Sequence, residues 1–236
     1  MEVEIKNVVV LFNFERSDFN YIGGDFMKIA VIQASSQKDK NSLLYDSLVE
    51  VVKHKGHEVI NFGIFEDEDV EYSYVEIAML ISILLGSKAV DFVVTGCSSG
   101  QGMMLACNSL PSVLCGYIEN PSDAYLFGRI NNGNGISIPL GLNFGWASEI
   151  NLQCILEKLF DGPFGRGYPK QDSIRKQRDT NLLKYINSIA KRELKEVLPK
   201  MDIDFIKKIV SRDIVFEYVM KYGQDNEIMA LLQSYR

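Results

Sequence analysis

The stretch VDFVVTGCSSGQGM, at residues 90–103, joins a strand pattern directly to a glycine-rich loop and to the first turn of a helix. Residues 90–95 are apolar at nearly every position, which is typical of a strand that a parallel sheet buries on both faces. Gly100 and Gly102, preceded by two serines, favour a tight turn with close backbone approach. The stretch therefore predicts a strand–loop–helix unit of an α/β protein.

Strand-like and helix-like segments alternate on both sides of this unit. Further strands are predicted at residues 28–33, 57–62, 112–117 and 135–139, and helices at residues 39–55, 72–85, 101–109, 121–130 and 146–160. The alternation predicts a five-stranded, doubly wound parallel sheet of the Rossmann-like type, for which we expect the strand order 2-1-3-4-5. Such sheets bind ligands at the carboxyl ends of their strands, so the loops after residues 33, 95, 117 and 138 should converge on the site.

The chain divides into three parts by its composition. Residues 27–162 carry the α/β pattern, and residues 163–236 begin as a linker rich in glycine and proline and continue as three or four helices. We expect this C-terminal helical extension to pack on the core or on a second subunit. Residues 23–25, Gly-Gly-Asp, can be encoded by a ribosome-binding sequence just upstream of Met27. Residues 1–26 are therefore expected to be a non-native upstream extension, the alternative being a genuine extra strand or flexible arm.

The charge and the cysteine pattern exclude several classes of protein. The net charge of −6 disfavours a nucleic-acid binder, which needs a basic face. No apolar run is long enough to span a membrane, and none near the start has the order of a signal peptide. The four cysteines show neither a paired nor a regular spacing, which favours reduced thiols over a disulfide framework or a zinc site. We expect a cytoplasmic protein.

The sequence has few histidines that could act in catalysis. The only two histidines, His54 and His57, lie together where a helix leads into a strand, and we expect structural roles for both. A catalytic base should then be a carboxylate or a thiolate. The single tryptophan, Trp146, is expected to fill a core rather than to stack on a sugar.

The loop after residue 95 offers chemistry suited to an anion. Its backbone N–H groups and the positive end of the following helix stabilise a bound anion or a developing oxyanion, and Ser99 can donate a further hydrogen bond. Cys97 lies near this helix N-terminus, which favours the thiolate, and a thiolate there is suited to removing a proton next to a carbonyl. A buried structural cysteine is the alternative. A complete dinucleotide fingerprint and a Walker loop are both absent from the sequence.

Four motifs carry a resemblance to a known family. They are MKIAVI at residues 27–32, GHEVINFG at 56–63, CSSGQGMMLACN at 97–108 and NNGN at 131–134. In order and spacing they resemble the ribose-5-phosphate isomerase B and galactose-6-phosphate isomerase family, over about residues 27–170. The resemblance implies an intramolecular oxidoreductase that interconverts aldose and ketose phosphates of the pentose phosphate type through a cis-enediol. It also implies that neither a metal nor another cofactor is needed, and a homodimer or dimer of dimers with sites at the subunit interface.

The resemblance also implies roles for individual residues. Cys97 falls on the catalytic cysteine that moves the proton between C2 and C1, and Asn131 falls on an asparagine that contacts the substrate. The enediolate-stabilising loop is implied to comprise Ser99, Gly100, Gln101 and Gly102. Asn108 matches an asparagine for which we expect a structural role.

Three ionisable positions of the family differ in this chain. An Asp-His pair after the first strand is replaced by Ala34 and Ser35, and a histidine thought to assist ring opening is replaced by Ile130, beside Arg129. Ser35 and Arg129 are therefore candidate substrate-binding residues. Ring opening falls to Ser35, Gln37, Asp123 or water, unless the substrate differs.

Phosphate binding and the sugar itself are less defined. Arg166 and Arg175 lie in the region of the family's phosphate-binding arginines, and the guanidinium fork suits phosphate. Ribose, allose, galactose or another sugar phosphate all fit the sequence. A non-catalytic sugar-phosphate-binding or regulatory protein is the alternative to an isomerase, favoured by the lost Asp-His pair and disfavoured by Cys97 and Ser99. A thiol redox protein fits poorly, because Cys97 has no nearby resolving cysteine in the sequence.

Overall fold

The computed structural model of the chain describes residues 26–236. The expectation about residues 1–26 therefore falls outside the described residues, apart from Phe26. Five parallel strands form one sheet: β1 (Lys28–Val31), β2 (Glu58–Asn61), β3 (Phe92–Cys97), β4 (Cys115–Tyr117) and β5 (Gly135–Pro139). The doubly wound parallel fold that the sequence predicts is thus confirmed.

Helices connect the strands and continue beyond the sheet. They are α1 (Asn41–Val52), α2 (Tyr74–Gly86), α3 (Gln101–Ser109), α4 (Pro121–Leu126), α5 (Ser148–Leu159), α6 (Ser173–Ala190), α7 (Leu194–Val197), α8 (Ile203–Val210), α9 (Asp213–Tyr222) and α10 (Asn226–Tyr235). Short 3-10 turns occupy Ser35–Lys40, Lys170–Asp172 and Leu198–Lys200, and a π-helical turn occupies Phe127–Asn131. No helix within residues 26–236 has both the length and the apolar character needed to cross a membrane.

The order of the last two strands differs from the expected 2-1-3-4-5. The sheet has the order β2-β1-β3-β5-β4, so that β5 lies between β3 and β4. All five residues of β5 are buried, whereas β4 has only three residues and two of them are half-buried. The strand without exposed positions therefore takes the inner place, where both of its edges are paired, and the short strand takes the edge.

The two faces of the sheet bury separate apolar clusters. Val93 packs toward α2 and α3, while its neighbours Phe92 and Val94 pack toward α1 and α5. This alternation follows from the two-residue period of a strand, which points successive side chains to opposite faces. Because both faces are covered, the carboxyl ends of the strands are left as the edge at which a ligand can reach the sheet.

Most of the C-terminal helices pack on the core. Side chains of α7 to α10, such as Leu194, Ile206 and Val219, join the apolar cluster that α2 forms with the sheet. Helix α6 differs, since it exposes several large apolar side chains: Ile174, Leu182, Leu183, Ile186 and Ile189. The extension is thus mostly part of the core, with one helix whose apolar face is uncovered.

His57 lies at the amino edge of the sheet, opposite the expected site. Its Nδ1 accepts a hydrogen bond from the backbone N–H of Met27 at 3.3 Å. Burial, and then the charge of Lys55, lower the pKa of His57 below its ordinary value. This position agrees with the structural role expected from the sequence.

Candidate active site

Three loops meet at the carboxyl edge of the sheet. The Gln37 side chain, after β1, donates a hydrogen bond to the Ser98 hydroxyl at 3.0 Å. The Ser98 carbonyl accepts hydrogen bonds from the N–H groups of Gly141 at 3.0 Å and Leu142 at 2.7 Å, both after β5. The loops after β1, β3 and β5 therefore converge on Ser98, as the predicted fold requires.

Residues 97–102, from the end of β3 to the first turn of α3, form what we call the central loop. Gly100 fixes the shape of this loop. Its φ is +72°, and a Cβ there would lie 2.8 Å from the backbone nitrogen of Pro139. No side chain fits at this approach, and the left-handed conformation favours glycine as well. The Gly100 carbonyl accepts a hydrogen bond from the Ser137 hydroxyl at 2.6 Å, which ties the loop to β5.

Cys97 and the start of α3 form the part of the site that suits an anion. Cys97 ends β3 and is 8% exposed. Helix α3 begins after Gly100 without a side-chain cap, so the N–H groups of its first turn, at Gln101 and Gly102, have no acceptor within the helix. The half-buried Ser99 hydroxyl makes no hydrogen bond within the described residues. A thiol, a hydroxyl and oriented N–H groups are thus brought together, as the sequence predicts.

The loop after β1 is held by a buried network of amide side chains. Gln33 donates to the Ile64 carbonyl at 2.8 Å and accepts from Asn41 at 2.9 Å, and Asn41 exchanges hydrogen bonds with Asn61. Ser35 lies at the end of this loop, and its hydroxyl accepts a hydrogen bond from the backbone of Tyr72 at 2.6 Å. Sequence reasoning missed this network, because single amide residues in amphipathic segments resemble ordinary surface positions.

Tyr117 is a second feature that the sequence analysis missed. It ends β4, and its ring packs on Gly100, where a Cβ would lie 2.9 Å from the ring. The Gln101 side chain lies within hydrogen-bonding reach of the phenol. Burial, and then the charges of Glu119 and Asp123, raise the pKa of Tyr117, so the phenol stays protonated at neutral pH.

A cavity of about 390 Å³ is lined in part by Tyr117. Asn131 and Asp123 contribute polar groups to its wall, together with apolar groups of Leu126 and Leu183. The structure thus links the predicted substrate residue Asn131 to the central loop through Tyr117. A volume of this size suits a small-molecule ligand.

The three predicted arginines do not join the central loop. The Arg129 side chain is 5% exposed and donates to the carbonyls of Asp161 and Leu159, at 2.8 and 2.9 Å. Arg175 forms ion pairs with Asp172, just before α6, and with Asp179 on α6. Arg166 is exposed in the linker. Arg129 therefore stabilises the turn around residues 127–131 in this chain, and the other two lie on the outer surface.

Asn108 has a structural role, as the sequence predicts. The Asn108 side chain exchanges two hydrogen bonds with the backbone of Cys115, at 2.8 and 2.9 Å, and so joins α3 to β4 in the expected structural role.

The expectation that Trp146 fills a core is wrong, because its side chain is 101% exposed. Its loop leaves the sheet at the Ser98 contacts and carries the indole outward.

Fold and site together define a class of protein. A parallel α/β sheet whose central loop offers a thiol, a hydroxyl and free helix N–H groups is built to bind a small polar ligand that carries or develops negative charge. Among the described residues, no group of three or more histidine, cysteine, aspartate or glutamate side chains is arranged to hold a metal ion.

Comparisons with known proteins make this class specific. A sequence profile of the family described as Ribose/Galactose Isomerase matches residues 29–155. A 4-deoxy-L-threo-5-hexosulose-uronate ketol-isomerase, crystallised with a tartrate, is 43% identical, with a TM-score of 0.85 over 89% of this chain and 99% of its own. A ribose-5-phosphate isomerase from Vibrio parahaemolyticus is 39% identical, with a TM-score of 0.85 over 90% of this chain and 100% of its own.

More distant structures agree in fold. The type B ribose 5-phosphate isomerase of Trypanosoma cruzi is 17% identical, with a TM-score of 0.56 over 68% of this chain and 98% of its own. No curated protein is significantly similar to the chain. The chain belongs to the ribose/galactose isomerase family of sugar isomerases, which confirms the resemblance seen in its motifs.

Proposed function

We propose that the protein interconverts an aldose and a ketose through a cis-enediol, with Cys97 as the acid and base. The observation that carries this proposal is the position of Cys97 at the end of β3, directly before the uncapped start of α3. A thiolate there lies beside N–H groups that stabilise negative charge on a substrate oxygen. Both halves of an enolisation, a base and an oxyanion pocket, are thus supplied by one loop.

In this mechanism every proton has a defined path. The Cys97 thiolate removes the proton from C2 of the open-chain aldose, and the electron pair forms the C1–C2 double bond as charge develops on O1. The N–H groups of Gln101 and Gly102 and the Ser99 hydroxyl stabilise this enediolate. The thiol then returns the proton to C1, and the proton of the C2 hydroxyl moves to O1, which leaves the ketose.

Solvent exchange tests this assignment directly. The wild-type protein is expected to incorporate deuterium from heavy water at C2 of its substrate, and Cys97→Ala is expected to lose this exchange by about three orders of magnitude while it stays folded. Cys154→Ala, a half-buried cysteine on α5, is the matched control and should exchange normally. Unchanged exchange in Cys97→Ala would overturn the role of Cys97. Thermal stabilisation by a sugar phosphate without any exchange in the wild type would favour a non-catalytic binder instead.

The proposed substrate is a phosphorylated sugar, and a sugar acid is the second candidate. Ribose 5-phosphate isomerases among the relatives support the phosphate, while the relative at 43% identity is a ketol-isomerase of a hexosulose uronate. Two features favour the sugar acid: Arg129 is committed to backbone carbonyls, and Ala34 and Ser35 stand where the family has an Asp-His pair. A carboxylate carries less charge than a phosphate and needs fewer cations.

A parallel assay separates the two substrates. Ribose 5-phosphate, galactose 6-phosphate and 4-deoxy-L-threo-5-hexosulose uronate are supplied at equal concentration, and deuterium incorporation is followed by NMR. Faster exchange into either phosphate supports the sugar phosphate. Faster exchange into the uronate assigns the protein to sugar acids. The Cys97→Ala variant then shows whether Cys97 also transfers the proton in that reaction.

We also propose a homodimer in which α6 is covered by the second copy. Ile174, Ile186 and Ile189 are exposed on this helix, and monomeric proteins rarely leave so many large apolar side chains together in water. Sedimentation velocity is expected to give a dimer for the wild type and a monomer for the double variant Ile186→Asp, Ile189→Asp. A monomeric wild type would overturn the proposal.

A further inference from the structure

We infer that Tyr117 and Asp123 form the acid–base pair that opens the sugar ring before proton transfer at Cys97. The inference rests on the proposed function and deepens it. Pentose and hexose phosphates exist in water mainly as rings, and the enediol can form only from the open chain. A ring-opening site must therefore adjoin the proton-transfer loop and must provide both a proton donor and a proton acceptor.

The cavity of about 390 Å³ beside β4 meets the first requirement. Tyr117 forms part of its wall, and the ring of the same residue packs on Gly100. Gln101 lies within reach of the phenol, and the charge of Cys97 also acts on it. A sugar in this cavity is thus in contact with the residue that packs on the enediolate-stabilising loop.

Tyr117 is the donor of the pair. Burial, and then the negative charges of Glu119 and Asp123, raise the pKa of Tyr117 and keep the proton on the phenol oxygen. A protonated phenol can give a hydrogen bond, and then a proton, to the ring oxygen of a bound sugar. Tyr117 thus lines the cavity and also packs on Gly100 of the central loop.

Asp123 is the acceptor. It lies in the first turn of α4, and its Oδ2 accepts hydrogen bonds from the Asn120 side chain at 2.8 Å and the Glu119 N–H at 3.3 Å. Its Oδ1 accepts none from the residues that the structure describes, and Asp123 lines the same cavity as Tyr117. One carboxylate oxygen is thus held in place while the other stays open to a ligand.

The step balances with these two groups alone. The phenol of Tyr117 gives its proton to the ring oxygen as the bond between C1 and that oxygen breaks. The hydroxyl on C1 loses its proton to the Asp123 carboxylate, and its oxygen becomes the aldehyde. Asp123 then returns the proton to the Tyr117 phenolate, which restores both groups without any co-reactant.

Anomer exchange measures ring opening separately from isomerisation. Ribose 5-phosphate and galacturonate, each labelled with carbon-13 at C1, serve as probes for the two substrate classes. NMR magnetisation transfer between their α and β anomers is recorded with the Cys97→Ala protein, in which proton transfer at C2 is blocked. The protein is expected to accelerate the exchange of at least one probe over buffer.

Adding Tyr117→Phe to Cys97→Ala is expected to slow the catalysed anomer exchange about 100-fold, and Asp123→Asn to slow it comparably. Phenylalanine keeps the ring against Gly100, so the packing is retained. Tyr222→Phe is the control, because Tyr222 lies near Lys28 at the opposite edge of the sheet. Exchange that is unaffected by Tyr117→Phe, or no acceleration of either probe, would overturn the inference. Failure of the Cys97 assignment is read separately, as C2 deuterium incorporation that persists in Cys97→Ala.

Discussion

Arg212, between α8 and α9, donates hydrogen bonds to both carboxylate oxygens of Glu68, at 2.6 and 2.9 Å. The same guanidinium donates to the carbonyl of Phe62 at 2.5 Å. Glu68 belongs to the segment after β2 that leads to Tyr72, and the backbone of Tyr72 exchanges two hydrogen bonds with Ser35. An ion pair therefore connects the C-terminal helices to the segment that carries Tyr72, at the edge of the candidate active site.

Removing one partner of this pair should destabilise the whole protein. Arg212→Ala removes the donor to the Phe62 carbonyl and leaves the Phe65 N–H as the remaining hydrogen-bond donor to the Glu68 carboxylate. We expect a loss of about 3 kcal/mol in the free energy of unfolding. Urea unfolding measures the loss. Lys158→Ala removes an exposed ion pair with Asp161 and should cost under about 1 kcal/mol. Equal losses in the two variants would contradict the importance given to the Arg212 pair.

The same pair makes stability depend on pH in the acid range. Burial would raise the pKa of Glu68, but hydrogen bonds from Arg212 and the Phe65 N–H outweigh it and hold the pKa below the ordinary value of 4.5. The stabilisation is therefore complete above that ordinary value and is lost as the pH falls through the lower, folded-state value. Unfolding free energies measured from about pH 7 to about pH 3 should fall less steeply in Arg212→Ala than in the wild type. Parallel curves for the two proteins would exclude the Glu68 carboxylate as a source of the pH dependence of stability.

The two glycines of the central loop should respond differently to alanine. Gly100→Ala meets the Pro139 backbone at 2.8 Å in a left-handed conformation, and we expect a loss of about 2 kcal/mol in stability together with loss of activity. At Gly102 the nearest contact of a Cβ is Tyr74 at 3.5 Å, an ordinary distance. Gly102→Ala should therefore unfold like the wild type. A raised KM in Gly102→Ala would mean that the substrate approaches the Gly102 backbone closely. Thermal melts measure the stability of both variants, and steady-state kinetics measure their KM and activity.

The buried thiol of Cys115 should be less reactive than the half-buried thiol of Cys154. A hydrogen bond with Cys107, and then burial, raise the pKa of Cys115 well above its ordinary value, so little thiolate is present. Iodoacetamide at mildly alkaline pH is expected to label Cys154 before Cys115 in the native protein, as read by peptide mass spectrometry. In urea the two rates should converge. Preferential labelling of native Cys115 would contradict the buried arrangement.

The sequence predicts the fold well where the chain alternates clearly. Strand β5 and helix α3 have the bounds expected from their residues, and the loop at Cys97 lies at the carboxyl edge. The order of β4 and β5 was missed because strand order depends on which strand can be buried along both edges, and the length of β4 was overestimated. Length and burial are properties of the packed sheet rather than of either segment alone.

The candidate site was predicted only in its local part. Cys97, Ser99 and Gly102 follow one another along the chain, so their proximity is visible in the sequence. Tyr117 contacts Gly100 across β5, and Arg212 pairs with a residue 144 positions away. Contacts of this kind arise when separate elements pack together, and no periodicity within one segment predicts them.

The exposed Trp146 gives the protein an intrinsic fluorescent probe at a single position. It is the only tryptophan of the chain, so all indole emission comes from one exposed point in the loop after β5. That loop leaves the sheet at the Ser98 carbonyl, beside Cys97. Any ligand or neighbouring subunit that covers the indole will shift the emission to shorter wavelength, without a dye and without a substitution.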